Sequence, residues 1–354
     1  MVKTQLYPKA LDLLQQLIAI PSFSKEEDKT AALIAAVLEK EGVKAHRKLN
    51  NVWAFNKHYD PDLPTLLLNS HHDTVKPNTG YTRDPFAATI EDGKLYGLGS
   101  NDAGGCLVSL LATFLYFYAQ EELKYNLVFA ATAEEEISGR NGLELILPEL
   151  GDLEAAIVGE PTLMQLAVAE KGLLVLDCEA KGRSGHAARE EGLNAIYEAL
   201  PDINWFQTYR FPKVSEHLGP IKMSVTMIQS GTQHNVVPDS CTYTVDVRLT
   251  DAYTMDEVLE VIRQHVKSEV RPRSTRLKPS AIPMEHPLVQ AGIALGRSTY
   301  GSPTTSDQAL LSIPSLKLGP GDSARSHMAD EFIYLKEMEE GISLYIDILE
   351  RVIK

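Results

Sequence analysis

Apolar positions along the chain change their period repeatedly, and each change marks an expected element. Residues 9–20 set Leu11, Leu14, Leu17 and Ile18 at helical spacing ahead of Pro21, which predicts an amphipathic helix. A second helix is expected from residues 25–27, after the polar Ser22-Phe23-Ser24, to residue 41, where Gly42 stops it. Residues 52–56 and 66–68 read as strands around a proline-bearing turn, and three leucines in succession are the mark of a strand buried on both faces. Residues 127–132 and 155–158 have the same character. Residues 106–119 are almost wholly apolar, yet at about 14 residues they are too short to span a bilayer and predict a core helix.

From Ala167 the pattern changes. A strand over 172–180, a helix near 194–200, strands over 222–228 and 241–249 and a helix over 255–266 make an α+β sandwich of their own. Residues 167–276 are therefore expected to form a domain inserted into a discontinuous one, 1–166 and 277–354. Past the proline-rich residues 278–287 the α/β pattern returns, with a helix over 288–295, the polar turn Thr304-Thr305-Ser306-Asp307, a strand over 315–318, a long loop containing His327, and a closing helix. The expected class is α/β, a mixed sheet flanked by helices.

Composition narrows the partners. The 354 residues are 44% hydrophobic and 23% charged, a globular balance long enough for about two domains. A net charge of -14 disfavours nucleic acid and anionic membranes, leaving small molecules or peptides. Cys106, Cys178 and Cys241 form neither a disulfide framework nor a CxxC pair, and residues 1–8 lack the apolar core of a secretory signal. A reducing cytoplasm is the expected compartment.

Candidate chemistry lies where the apolar runs break. The run ending at Leu68 is followed by Asn69-Ser70-His71-His72-Asp73, and open α/β sheets collect ligands at the carboxyl ends of their strands. In His71-x-Asp73 a metal-binding imidazole has a carboxylate at hand to fix its tautomer; the competing reading is a surface turn. Glycines surround Asp102 in residues 97–105, without the Gly-Lys-Ser/Thr ending of a phosphate loop. Glu134-Glu135-Glu136 and Gly159-Glu160 follow the next two buried runs; an acidic helix start is the alternative for the first. His71, Asp102, Glu136, Glu160 and His327 amount to two imidazoles and three carboxylates. Around two cations with Asp102 shared, each has one histidine and one terminal carboxylate, with a position left for water or substrate. Glu135, spare beside a ligand, could move a proton from water to a leaving nitrogen, so hydrolysis of an amide is the expected reaction. Such N/O ligation suits Zn2+, with Co2+ or Mn2+ as alternatives.

Taken together, His71-His72-Asp73, Ser100-Asn101-Asp102, Glu134-Glu135-Glu136, Gly159-Glu160-Pro161, Gly182-Arg183-Ser184-Gly185-His186, Asn235-Val236-Val237-Pro238-Asp239 and Ser326-His327 resemble the M20 family of co-catalytic zinc amidohydrolases over essentially the whole chain. The resemblance implies a zinc-exopeptidase-type sheet with an inserted lid and dimerisation domain. It assigns His71, Asp102 and Glu160 to one metal and Asp102, Glu136 and His327 to the other, with Asp73 orienting His71 and Glu135 as base. It gives His186, from the partner subunit of a homodimer, a part in stabilising the oxyanion, and places Asn235 and Arg248 near substrate; a solvated Arg248 is the alternative. Position 134 is Glu where relatives often carry Asp, and Ala103-Gly104-Gly105 replaces the usual Met-Lys-Gly; neither removes a ligand. Length, the Thr304–Asp307 turn and the Asn-Val-Val-Pro-Asp element are most similar to the family's deacylases of N-acetyl- or N-succinyl-ornithine, citrulline and lysine, implying a role in arginine biosynthesis. A dipeptidase or aminopeptidase, and a catalytically silent metal-stabilised binding module, are the alternatives.

Overall fold

The computed structural model describes residues 3–354. Met1 and Val2 lie outside them, and with them part of the stretch on which the secretory expectation rests. The chain divides into two compact units: Met1–Val168 with Ala281–Tyr300 and Ser306–Lys354, and Ala169–Ser280 with Gly301–Thr305.

In chain order the elements up to the second unit are α1 (Lys3–Ile18), α2 (Asp28–Lys40), β1 (His46–Lys48), β2 (Asn51–Phe55), β3 (Thr65–His71), β4 (Thr89–Glu91), β5 (Lys94–Tyr96), α3 (Gly105–Phe117), β6 (Asn126–Thr132), α4 (Leu143–Ile146), β7 (Leu153–Val158) and β8 (Leu166–Glu170). There follow β9 (Gly172–Lys181), β10 (Gly185–His186), α5 (Ala195–Thr208), β11 (Lys222–Ser230), β12 (Val236–Val237), β13 (Ser240–Leu249), α6 (Met255–His265) and β14 (Glu269–Pro272). The last are β15 (Ser280–Ala281), α7 (Pro287–Ala294), β16 (Thr299–Ser302), β17 (Ser315–Lys317), β18 (Phe332–Tyr334) and α8 (Leu335–Ile353).

The main sheet runs β1-β2-β6-β3-β7-β17-β8-β15, with β16 also on β8. Its centre, β6-β3-β7-β17, is parallel, while β2 and β8 join antiparallel, so the sheet is mixed. Every residue of β3 and β6 is buried. The leucine run explains why: Leu66 and Leu68 pack into a large core shared with α1, α3 and α8, whereas Leu67 faces a smaller cluster with Trp53, Leu143 and Ile146. Each such side chain contributes about 1.5–3 kcal/mol by leaving water. Parallel pairing brings the carboxyl ends of β3, β6, β7 and β17 to one edge.

Two helices differ from the sequence reading. The first begins at Lys3 and carries Pro8 inside it, because Leu6, only 1% exposed, extends the buried face beyond the proline. The helix at Ala195 continues past Pro201 to Thr208, where Phe206 is buried in the second unit's core. That unit is an antiparallel sheet, β11-β13-β9-β14, whose alternating inward residues pack with α5 and α6 around a core of their own. β11 forms one edge, mostly exposed, with a bulge between Val225 and Met227. Residues 277–280 and 301–305 also belong to this unit; Leu173 N–H donates to Leu277 O (3.1 Å) and Thr305 Oγ1 to Lys171 O (3.0 Å). All three cysteines are free and buried, and no helix among the described residues is long and apolar enough to cross a membrane.

Candidate metal centre

β3 ends at His71, and the strand that buries it also fixes it. His71 is 1% exposed; its Nδ1 lies 3.0 Å from the Asp73 main-chain oxygen and 3.4 Å from Asp73 Oδ1. The main-chain oxygen, more than the carboxylate expected from the His-x-Asp spacing, therefore sets the ring. The Asp73 carboxylate turns instead to the next loop, accepting from Glu135 N (3.0 Å), Glu136 N (3.2 Å) and Ser24 Oγ (2.6 Å). His72 points the other way, with Thr30 Oγ1 2.9 Å from Nδ1 and Asn50 O 2.8 Å from Nε2, and burial lowers its pKa to about 4. The cluster is built on the first of the two histidines.

Asp102 arrives on the turn before α3. Gly99 holds a φ of 74°, and a Cβ there would meet Thr74 Cγ2 at 2.6 Å, so only glycine lets the turn close against β3's continuation. Asp102 points one carboxylate oxygen at each histidine: Oδ1 is 3.4 Å from His71 Nε2 and Oδ2 is 3.6 Å from His327 Nε2. After β6, Glu134 adopts φ 57° and starts the short helical turn Glu135–Ile137, which lifts Glu136 Oε2 to 3.0 Å from His327 Nε2 and Glu135 Oε2 to 3.9 Å from His71 Nε2. Glu160, two residues past β7, places Oε1 3.7 Å from His71 Nε2. All five ligand candidates and Glu135 thus converge in the first unit.

The charges are out of balance in a way that calls for a cation. His71 Nε2 is buried and makes no hydrogen bond, though Asp102, Glu135 and Glu160 oxygens ring it. Burial alone would lower its pKa, but the negative charges of Glu135, Asp102, Asp73 and Glu160 hold it well above its ordinary value. His327 is raised to about 9, chiefly by its bond to Glu136. Glu135 is driven well above the carboxylate range by burial and by Glu160, Asp307 and Glu136, against the pull of His71. Burial would likewise raise Asp102, but His71, Ser326 and His327 hold it low. Ligand atoms on a tetrahedron with bonds of about 2.1 Å stand about 3.4 Å apart, the spacing seen from both histidines to Asp102. His71, Asp102 and Glu136 form one set with ligand atoms within 4.8 Å of one another; His71, Glu135 and Glu160 form another, so Glu135 is itself within reach of a cation. The donor set fits a divalent ion with mixed imidazole and carboxylate ligation.

Two buried carboxylates of this region escape sequence reading. Glu331, 1% exposed, accepts from the N–H groups of Gly99, Asn101 and Asp102. Glu27, fully buried, accepts from Glu134 N (3.2 Å) and Asn50 Nδ2 (2.8 Å) although its position reads as a helix start. Both stand among ordinary loop acids, and nothing in their neighbours marks them.

The remaining candidates lie in the second unit. His186 is exposed, and its Nδ1 accepts from Ala188 N (3.1 Å). Pairing of β10 with β12, and the bond from Ala187 N to Asn235 O (3.0 Å), keep His186 and Asn235 side by side. Arg248 is half-buried, its fork on Asp246 (2.9 and 3.1 Å) and its Nη1 on Thr305 Oγ1 (3.2 Å).

The chain is 28% identical to an acetylornithine deacetylase from Proteus mirabilis (strain HI4320), over 97% of its own length and 96% of the relative's. It is 27% identical to succinyl-diaminopimelate desuccinylase 2 of Ruegeria sp. (strain TM1040), covering 73% of this chain and 69% of that one. Among solved structures it superposes on aminopeptidase PepT from Bacillus cereus (TM-score 0.79, 17% identity, 98% of each chain). It also superposes on a dinuclear metal-binding M20 peptidase from Bacillus subtilis (TM-score 0.76, 18% identity, 99% of this chain and 100% of that one). Residues 67–351 match the sequence profile of Peptidase family M20/M25/M40. The chain belongs to that family and is a hydrolase.

Proposed function

We propose that this chain is a two-cation amidohydrolase that removes an N-acyl group, acetyl or succinyl, from an amino acid of the ornithine or citrulline type, serving arginine biosynthesis in the cytoplasm. The observation that carries the chemistry is His71 Nε2, buried without a hydrogen bond and ringed by Asp102, Glu135 and Glu160. The acyl-amino-acid substrate is supported by near full-length similarity to an acetylornithine deacetylase.

In this reading His71, Asp102 and Glu160 would hold one cation and Asp102, Glu136 and His327 the other, the two Asp102 carboxylate oxygens facing His71 and His327 respectively. Bound there, divalent cations, zinc by the donor set with cobalt or manganese as substitutes, would supply Lewis-acid polarisation of an amide carbonyl and a lowered pKa for water. Glu135 takes the proton of the attacking water and passes it to the leaving nitrogen. Asp73 holds Glu135 and Glu136 in place through their main-chain N–H groups. For the second unit the reading assigns His186 an N–H to the oxyanion, supplied across a homodimer, and gives Asn235 and Arg248 contacts to substrate.

The test is hydrolysis of N-acetyl- and N-succinyl-ornithine, the same two derivatives of citrulline, and a set of dipeptides, with Zn2+ or Co2+ and a chelator control. Chelator-sensitive release from one acylated amino acid is expected. Activity on dipeptides alone moves the chain to the peptidase branch, and no turnover at all supports a binding module. Glu135→Gln is expected to lower kcat about 10²–10⁴-fold while leaving cation content unchanged; equal loss of cation would make Glu135 a ligand.

A further inference from the structure

The loop that delivers His327 does more than supply one imidazole. It is pinned at three points: Asn78 Nδ2 donates to His327 O (3.1 Å), Asp330 accepts from Thr82 N, Thr82 Oγ1 and Arg83 N (2.9, 2.6 and 3.0 Å), and Glu331 closes it against the Gly99–Asp102 turn. Glu331 Oε1 accepts from Asn101 N (2.8 Å) and Asp102 N (2.9 Å), and Oε2 from Gly99 N (3.1 Å). Its own main-chain oxygen takes Gly97 N (3.0 Å), and the next residue, Phe332, pairs with Tyr96 across β18 and β5.

A carboxylate 1% exposed is costly to bury unless its oxygens are satisfied, and here three main-chain donors satisfy it. All three belong to the turn that ends in Asp102. One side chain four residues after His327 therefore fixes the main chain under the one residue that faces both histidines. His327 itself has a side chain 55% exposed, with Nε2 3.0 Å from Glu136 Oε2 and 3.6 Å from Asp102 Oδ2, so the loop anchors carry much of its placement.

We infer that Glu331 is a positioning residue for the second cation: it clamps the His327 loop to the Asp102 turn so that His327, Asp102 and Glu136 meet in ligating geometry. This rests on the two-cation reading above. Glu331 touches neither substrate nor cation; it acts through the Asp102 main chain. An amide in its place offers one acceptor oxygen and turns an NH2 toward a main-chain N–H, which releases the turn on one side. Ligand supports of this kind are worth about 10–100-fold in cation affinity when removed.

The test is a cation titration of the full chain with Co2+, read by calorimetry and by the cobalt absorption bands, on the wild type, Glu331→Gln and Asp202→Asn. Asp202 is a matched control: it is 3% exposed, accepts Lys267 N (3.1 Å) and Ser268 N (2.7 Å), and belongs to the second unit. The wild type is expected to bind two equivalents. Glu331→Gln is expected to bind one of them about 10–100-fold more weakly, with kcat falling more than KM rises. Asp202→Asn is expected to lose thermal stability yet bind both equivalents normally. Where Glu331→Gln does not fold, Glu331→Asp, which keeps the charge but withdraws it from the turn, is expected to show the same selective loss. Two normal equivalents in a folded Glu331 variant, or the same loss in Asp202→Asn, overturns the inference while leaving the functional reading intact. Fewer than two in the wild type overturns both.

Discussion

Asp73 and Glu331 hold the turns that carry the candidate ligands without belonging to the candidate ligand set themselves. Asp73 takes two main-chain N–H groups from the Glu135–Glu136 turn and a hydroxyl from Ser24, so Asp73→Ala strands two part-buried donors beside the candidate ligands. We expect it to weaken cation binding about 10–100-fold, read by calorimetry, with Glu160 still in place as a ligand of the first set. Three of the candidate ligands were legible in the sequence because each follows an apolar run that is buried whatever its neighbours: Leu66–Leu68 before His71, residues 127–132 before Glu136, residues 155–158 before Glu160. Glu331 and Glu27 were not, since Glu331 is held by main-chain groups up to 232 residues away and Glu27 by a main-chain N–H 107 residues away together with the Asn50 side chain. A donor supplied by a distant peptide bond leaves no trace in side-chain pattern. Arg248 was legible as a fork but not as a satisfied one, because Asp246 stands on the same strand two residues before it.

Among the elements, period decided what could be read. The fully buried β3 and β6 and the alternating β9 and β13 declare themselves, and β17 is read as a strand over 315–318, whereas β1 and β18, three residues each, are too short to carry a repeat. Helix ends depend on single contacts. α7 starts at His286, whose Nδ1 accepts the Leu288 N–H (3.2 Å), and burial lowers its pKa below the ordinary 6.5 despite the nearby charge of Glu154. A base depressed in the folded state stabilises it fully above about pH 6.5 and loses that contribution as the pH falls toward the folded value, since the unfolded chain takes the proton first. Once protonated, the ring cannot accept from Leu288. His286→Asn keeps an acceptor at the cap and removes the titration. Urea unfolding on either side of about pH 6.5 is expected to show a shallower loss of stability in the variant, by at most about 1 kcal/mol because the ring is partly in water.

On the scale of the whole molecule, each unit has its own hydrophobic core, and only the second is nearly continuous in sequence. The main sheet is not: β17, residues 315–317, lies between β7 and β8, which precede it by more than a hundred positions. A chain emerging from the ribosome therefore completes the inserted unit while the larger sheet still has an open seam, with one edge each of β7 and β8 waiting for a strand not yet made. Nascent chains halted once residue 305 has left the tunnel are expected to show protease protection over the second unit and not over β7 and β8, with protection spreading to them only once residues 315–317 have also left it. For this fold the stretch of synthesis between β8 and residues 315–317 is a vulnerable interval, when a long non-local closure remains to be made and an exposed seam is open to chaperones or to a neighbouring nascent chain.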